Sequence, residues 1–123
     1  MTATEKLMQK IIFMVTGETV LTDIERRYNV LIDNPETEDQ RHDSENELRS
    51  SGTPTGLEAD YSRHYSSKAV AAEMLDGSWV GWTYWYGGGK HGEPSEMPWL
   101  ECAYDVTTQV VMEPVRKFQR VPT

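Results

Sequence analysis

The sequence has little cysteine, few basic residues and no long apolar run, and each of these absences excludes something. The 123 residues include one cysteine, Cys102, so a disulfide within the chain is excluded. This agrees with a reducing compartment. The longest apolar run, residues 11–15, is too short to span a bilayer, and no signal peptide pattern precedes it. We therefore expect a cytoplasmic protein with no membrane partner.

Positive charge is scarce as well, and the net charge is −8. Residues 1–60 carry 13 acidic and 6 basic residues, a net charge of −7, whereas residues 61–123 carry 7 and 6, a net charge of −1. Neutralising a phosphate backbone needs clustered Lys and Arg, so we expect no nucleic acid partner. The one basic cluster, Arg116, Lys117 and Arg120, is more typical of a solvated strand edge than of a phosphate site.

The chain length suits one domain, and its first segment, residues 1–32, is predicted to form short helices. Apolar residues recur at helical spacing through residues 7–15, with Thr4 as a candidate cap and Gly17 as a stop. Part of this run would also suit a strand of a hairpin. The agreement between the caps and the apolar stripe favours the helix. An exposed stripe would also permit a homo-oligomer.

A second helix is predicted next, and after it the apolar pattern disappears. Thr22 and Glu25 match the T-x-x-E capping box. Residues 33–59 contain only Leu48 and Leu57 as large apolar side chains, so they cannot bury enough surface to offset chain entropy. We predict an acidic, flexible loop or linker there. The alternative is an interaction segment that becomes ordered on a partner.

Residues 60–123 are predicted to form an antiparallel sheet of three to four strands with one short helix, which makes the fold class α+β. Asp76-Gly77 ahead of an aromatic run is a strong hairpin signal, so the flanking residues, 68–75 and 79–86, are predicted strands. Ser95 is a candidate cap for a short helix that ends near Tyr104. Further strands are predicted at residues 108–112 and 115–121.

The chain is organised around the run SWVGWTYWYGGGKHGEP, residues 78–94. Alternation along a strand places Trp79 and Trp85 on one face and Trp82, Tyr84 and Tyr86 on the other. Because both faces are aromatic, either both are covered or one exposes a platform. We expect the core to contain most of these rings, with those nearest the glycines partly exposed.

The glycine loop that follows the aromatic strand is a candidate binding element. Successive backbone N–H groups at residues 87–89 could form an anion-binding nest, with Lys90 as an additional donor. The spacing matches neither the P-loop nor the dinucleotide-binding fingerprint. A simple turn between a strand and a helix is the more common use of such glycines.

Enzymatic chemistry has little support in the sequence. His91 and Glu93 are two residues apart and could act as an acid and a base, or as two of several metal ligands, but chance proximity explains them more easily. The histidines show no paired ligand spacing, and Cys102 is expected to be a buried small hydrophobe. We therefore predict no catalytic residue, no cofactor and no metal.

At GWTYWYGGGKHGEP, residues 81–94, the sequence resembles a core of small uncharacterised proteins of phages, prophages and other mobile elements. The resemblance extends over residues 65–104 and has no named activity. It implies that the loop and its aromatic residues are a functional centre, and that the protein inhibits or assists a host factor.

Two hypotheses follow. The first is a small acidic, non-enzymatic protein that contacts a host protein through the aromatic strand and the glycine loop, with the acidic segment steering the encounter. The second is a protein that binds or sequesters a small anionic ligand, of nucleotide or sugar type, at the same place. Both hypotheses use the same candidate residues, which are Trp82, Tyr84, Trp85, Tyr86, Gly87, Gly88, Gly89, Lys90, His91 and Glu93.

Overall fold

In the described part of the chain three helices are followed by an antiparallel sheet, so the predicted α+β class is confirmed. The computed structural model describes residues 1–88, 92–110, 116 and 118–121. The helices are α1 (Ala3–Thr16), α2 (Ile24–Asp33) and α3 (Glu38–Ser50). The strands are β1 (Thr53–Pro54), β2 (Ser66–Glu73), β3 (Trp79–Tyr86) and β4 (Tyr104–Val106), with a 3₁₀ turn at Pro94–Glu96.

Helix α1 confirms the helical alternative for the first segment, although its cap differs from the predicted one. The Thr2 hydroxyl accepts a hydrogen bond from the Glu5 N–H at 3.1 Å, and the Glu5 carboxylate accepts one from the Thr2 N–H at 3.0 Å. This reciprocal capping box satisfies two N–H groups that the first turn leaves free. Thr4 instead donates to the carbonyl of Leu100 at 2.8 Å. Gly17 ends the helix at φ 77°, as predicted.

Helix α2 is also confirmed, but the capping box predicted for Thr22 and Glu25 does not form. The N-cap is Asp23, which has a left-handed backbone at φ 53° and makes no side-chain capping bond to the helix; its carboxylate instead accepts a hydrogen bond from Arg26 Nη2 at 3.2 Å. A left-handed conformation is costly for a residue with a Cβ. The helix is held through its buried residues, which are Ile24, Tyr28 and Leu31.

Helix α3 corrects the prediction of a flexible loop over residues 33–59. Leu48 is 2% exposed and belongs to the core cluster, so one apolar side chain anchors the helix. Arg41 and Glu45, one turn apart, form an ion pair at 2.8 Å. The Thr37 hydroxyl donates to the Leu31 carbonyl at 2.9 Å and so ties the start of α3 to α2. Tertiary contacts, rather than an apolar stripe, stabilise this helix.

The sheet has the order β1-β2-β3-β4, and all its neighbours are antiparallel. The predicted hairpin is confirmed: β2 and β3 pair along their whole length, from Ser66 opposite Tyr86 to Glu73 opposite Trp79. Gly77 in the connecting turn has φ 84°, a conformation that glycine adopts readily. Strand β4 pairs only with residues 79–81 of β3.

The C-terminal third departs from the sequence predictions. The helix expected from Ser95 to Tyr104 is wrong, because only Pro94–Glu96 forms a 3₁₀ turn. Pro98 lies just after this turn and lacks a backbone donor, which disfavours a longer helix. Residues 108–110, 116 and 118–121, where strands were predicted, are not in strands. The other residues of those predicted strands, 111–112, 115 and 117, lie outside the described part of the chain.

The core lies between the helical layer and one face of the sheet. Its fully buried side chains come from both layers and are Leu7, Ile11, Leu48, Val70, Val80 and Trp82. The buried Gln9 amide donates to the Val20 carbonyl at 2.8 Å and thereby ties the loop after α1 to the helix. Within the described residues, no helix has the length and apolar content needed to cross a bilayer.

Candidate functional site

Both faces of β3 are covered from Val80 to Thr83, which answers the question that its aromatic alternation left open. On the helical side, Val80 and Trp82 are fully buried in the core. On the outer side, Gly81 lies so close to the Tyr104 ring that a Cβ on it would be 2.6 Å from Cε2. Also on that side, the Thr83 hydroxyl contacts Asp60, donating to its carboxylate at 3.2 Å.

Two of the predicted contact residues are therefore buried, which corrects the prediction. Trp82 is 0% exposed: its ring packs on Trp99 at 5.6 Å, and its Nε1 donates to the Arg49 carbonyl at 3.1 Å. Trp85, which was expected to be partly exposed, is 5% exposed on the opposite face. In a domain of this size such large rings supply burial that the core needs.

The end of β3 carries a different pair of rings, of which Tyr84 is half-buried against the core and Tyr86 is exposed. Tyr84 and Tyr86 stack with their centroids 5.9 Å apart and their planes 20° apart. The Arg49 guanidinium carbon lies 5.2 Å from the centroid of the Tyr84 ring, and Lys68 Nζ lies 5.6 Å from it. Tyr86 is 42% exposed. We call Arg49, Lys68, Tyr84 and Tyr86 the tyrosine ledge.

Strand register and the end of α3 position the ledge. Lys68 is directly opposite Tyr84 in the β2–β3 ladder, so their side chains share a face. Helix α3 ends at Ser50, one residue after Arg49, so the helical layer stops where the ledge begins. Arg49 Nη1 donates to the Trp85 carbonyl at 3.3 Å, which fixes its guanidinium at the strand.

The glycine loop begins with two residues whose backbones only glycine adopts without strain. Gly87 has φ 74° and Gly88 has φ 90°. A Cβ on Gly88 would lie 2.5 Å from Tyr65 Cδ1 and 2.7 Å from the His64 carbonyl oxygen. The turn interpretation therefore explains these two glycines. Gly89, Lys90 and His91 lie outside the described residues, so the anion nest and the His91–Glu93 pair stay predictions.

Glu93 is exposed and immediately precedes the turn at Pro94–Glu96. Cys102 is exposed rather than buried, because it lies in a turn and not on the apolar face of a helix. In the described part of the chain, no group of three or more His, Cys, Asp or Glu side chains is arranged to hold a metal ion.

A second feature, which the sequence analysis missed, is a cleft between α2, α3 and the segment around the 3₁₀ turn. Its volume is about 430 Å³. The lining residues are Tyr28, Ile32, Arg41, Glu45, Ser95, Glu96, Met97, Pro98, Trp99, Leu100 and Glu101. They come from three separate stretches, one of which was predicted to be a loop, so no local pattern in the sequence indicated the cleft.

The cleft contains a titratable group with a displaced pKa. Burial, and secondarily the negative charge of Glu101, raises the pKa of the Glu45 carboxyl from 4.5 to about 7. The guanidinium of Arg41, 2.8 Å away, favours the ionised form and opposes this displacement. Glu45 can therefore exchange a proton near neutral pH, which is common at binding sites.

Comparison of the chain with protein-family models, curated proteins and solved structures finds no match.

Proposed function

We propose that this is a small acidic interaction protein that binds a partner protein through the tyrosine ledge. The observation that carries the proposal is the stack of the half-buried Tyr84 ring with the exposed Tyr86 ring, with Arg49 and Lys68 beside it. Tyr and Arg are enriched among the residues that dominate binding energy in protein interfaces. The stack is already formed in the free protein, so little side-chain entropy is lost on binding.

The arrangement of the rings favours a protein over a small ligand. The Tyr84 ring is already contacted by Tyr86 and by two cationic groups, Arg49 and Lys68. Tyr86 therefore provides most of the exposed aromatic surface. A base or a sugar usually needs an open ring face within a concave site. Binding of a small anionic ligand is the second candidate, and the cations of Arg49 and Lys68 favour it.

Charge on neighbouring surfaces describes the partner further. The exposed face of α3 carries Glu38, Asp39, Asp43 and Glu47. The ledge, in contrast, presents two cations. A complementary partner would place acidic or aromatic groups on the ledge and basic groups opposite α3, which would accelerate the encounter. The resemblance to proteins of mobile elements adds that the partner is a host factor, which the protein inhibits.

The experiment is affinity capture from host lysate, followed by titration of each purified candidate. We expect Tyr86→Ala and Lys68→Glu to weaken binding by about tenfold or more, since interface anchors contribute about 2 kcal/mol or more. Tyr61→Ala is the matched control, because Tyr61 is 87% exposed and lies outside the ledge. A candidate partner that binds the unsubstituted protein and the three variants with equal affinity would contradict the proposal.

A thermal-shift screen with nucleotides and sugar phosphates tests the second candidate. A ligand that binds only the folded chain stabilises it by about 2.7 kcal/mol at a hundredfold excess over its Kd. The second proposal would replace the first if a ligand raised the Tm, Lys68→Glu abolished that rise, and no protein partner were captured.

A further inference from the structure

The cleft between α2 and α3 has the size and the walls of a small-molecule site. Its volume of about 430 Å³ lies within the range of pockets that hold small ligands. Ile32, Met97 and Pro98 supply apolar walls. Tyr28 and Trp99 also line it, and aromatic rings attract cations to their faces. An organic molecule with an apolar body would thus find complementary surface.

The charges that line the cleft favour a positively charged ligand. Three carboxylates, Glu45, Glu96 and Glu101, line the cleft beside one guanidinium, that of Arg41. Arg41 is already paired with Glu45, and Glu96 and Glu101 are exposed at the edge. Three negative charges and one positive charge give the lining a formal charge of −2 when all are ionised. An anion would be repelled, whereas a cation would relieve the repulsion between Glu45 and Glu101.

We propose that this cleft binds a small organic cation, in which an ammonium or guanidinium group is attached to an apolar body. The charged group lies between Glu45 and Glu101, and the apolar body lies against Met97 and Trp99. The cleft shares no residue with the tyrosine ledge. The inference is therefore independent of the proposed protein partner, and either can fail alone.

Binding of the cation is coupled to ionisation of Glu45. The titratable and charged groups that line the cleft with Glu45 are Tyr28 on α2, Arg41 on α3, and Glu96 and Glu101 on the segment that follows β3; of these, Arg41 is paired with Glu45 and Glu101, second to burial, raises its pKa. Burial and the charge of Glu101 raise the pKa of Glu45 to about 7. At neutral pH this carboxyl is therefore protonated in a substantial fraction of the protein molecules. A bound cation favours the carboxylate and releases the proton. Affinity should therefore increase between pH 6 and pH 8.

The test is calorimetric titration of the full chain with tryptamine, with tryptophol as the neutral isostere and indole-3-propionate as the anionic one. We expect tryptamine to bind at least about tenfold more tightly than either analogue, since the ammonium makes charge-assisted contacts. Agmatine and spermidine test whether a guanidinium or a second amine is preferred. Binding of tryptamine with a Kd below about 1 mM, which Glu101→Gln weakens more than Asp39→Asn does, supports the proposal.

Two substitutions that each remove one negative charge distinguish binding in the cleft from general attraction of a cation to an acidic protein. Glu101→Gln should weaken binding of the amine at least about tenfold. Asp39→Asn removes the same charge from an exposed site on α3 outside the cleft, and should change affinity by less than about twofold. Glu45→Gln should abolish the pH dependence. Equal effects of the two charge removals, equal binding of tryptophol, or no binding by any amine would overturn the proposal.

Discussion

Trp82 joins the sheet to the end of α3, and replacing it tests whether this contact holds the helix. The ring is fully buried, and its Nε1 donates to the carbonyl of Arg49 at 3.1 Å. The last carbonyls of a helix have no donor four residues ahead, so the indole N–H acts as a cap for the C-terminus of α3. Trp82→Phe removes this donor and keeps an aromatic ring in the same place.

The expected loss combines two effects. The Trp82–Arg49 hydrogen bond is part-buried, and leaving its carbonyl without a partner costs about 1–3 kcal/mol. The smaller ring also leaves a cavity beside Trp99, which adds about 1 kcal/mol. The sum is about 2–4 kcal/mol. A 123-residue domain has a total stability of about 6–18 kcal/mol, so the variant should fold with a clearly lower free energy of unfolding.

The assay is urea unfolding followed by far-UV circular dichroism, because the other tryptophans complicate fluorescence. Tyr86→Ala is the control: that ring is 42% exposed, and its removal should cost less than about 1 kcal/mol. A loss for Trp82→Phe below about 1 kcal/mol, or no greater than that for the control, would refute the idea that Trp82 anchors α3.

Three further predictions concern other contacts. Leu48→Ala should cost about 2–5 kcal/mol and reduce helicity, whereas Glu47→Ala on the exposed face should have little effect by the same circular dichroism assay. Gly52→Ala would place a Cβ 2.6 Å from Val70 Cγ2, so urea unfolding should show a loss of about 1–3 kcal/mol. The pKa of Glu45 is raised from 4.5 to about 7, so the folded state binds more protons and its stability falls as pH rises through that interval. The free energy of unfolding of the unsubstituted protein should fall by about 1 kcal/mol between pH 5 and pH 8 once solvent screening is taken into account. Glu45→Gln should lack this fall when its urea unfolding is measured at the same two pH values.

The sequence predicted those elements whose local pattern and punctuation agree. In α1 an apolar stripe ends at Gly17, and the hairpin has the Asp76-Gly77 turn between two strand-like runs. Both appear in the structure because the local preference and the tertiary packing point the same way. The exact caps were missed: Thr2 and Asp23 are the N-caps where Thr4 and Thr22 were predicted. Each helix start has two candidate capping residues within two positions of each other, and the sequence pattern does not choose between them.

Helix α3 could not be predicted, because its stability comes from contacts distant in sequence. Its single buried residue, Leu48, gives no periodic signal, and the indole of Trp82 caps it from the sheet. The site was predicted in part. Aromatic residues occupy both faces of β3, so alternation alone could not show that Trp85 is buried and Tyr86 exposed. The cleft depends on α3 and was therefore invisible as well.

One acidic helix therefore contributes to both surfaces for which we propose a role. Arg41 and Glu45 line the cleft, and Arg49, near the C-terminus, lies over Tyr84 on the ledge. Leu48 is its one buried residue, so we expect this helix to open at a lower free energy than α1 and the central strands. A ligand in the cleft would bind only molecules in which α3 is packed against the rest of the fold, because α3 forms one wall of the cleft. The same packing of α3 also places Arg49 on the ledge. Occupation of the cleft should thus favour the arrangement of the ledge that a partner protein would contact, without any direct contact between the two surfaces.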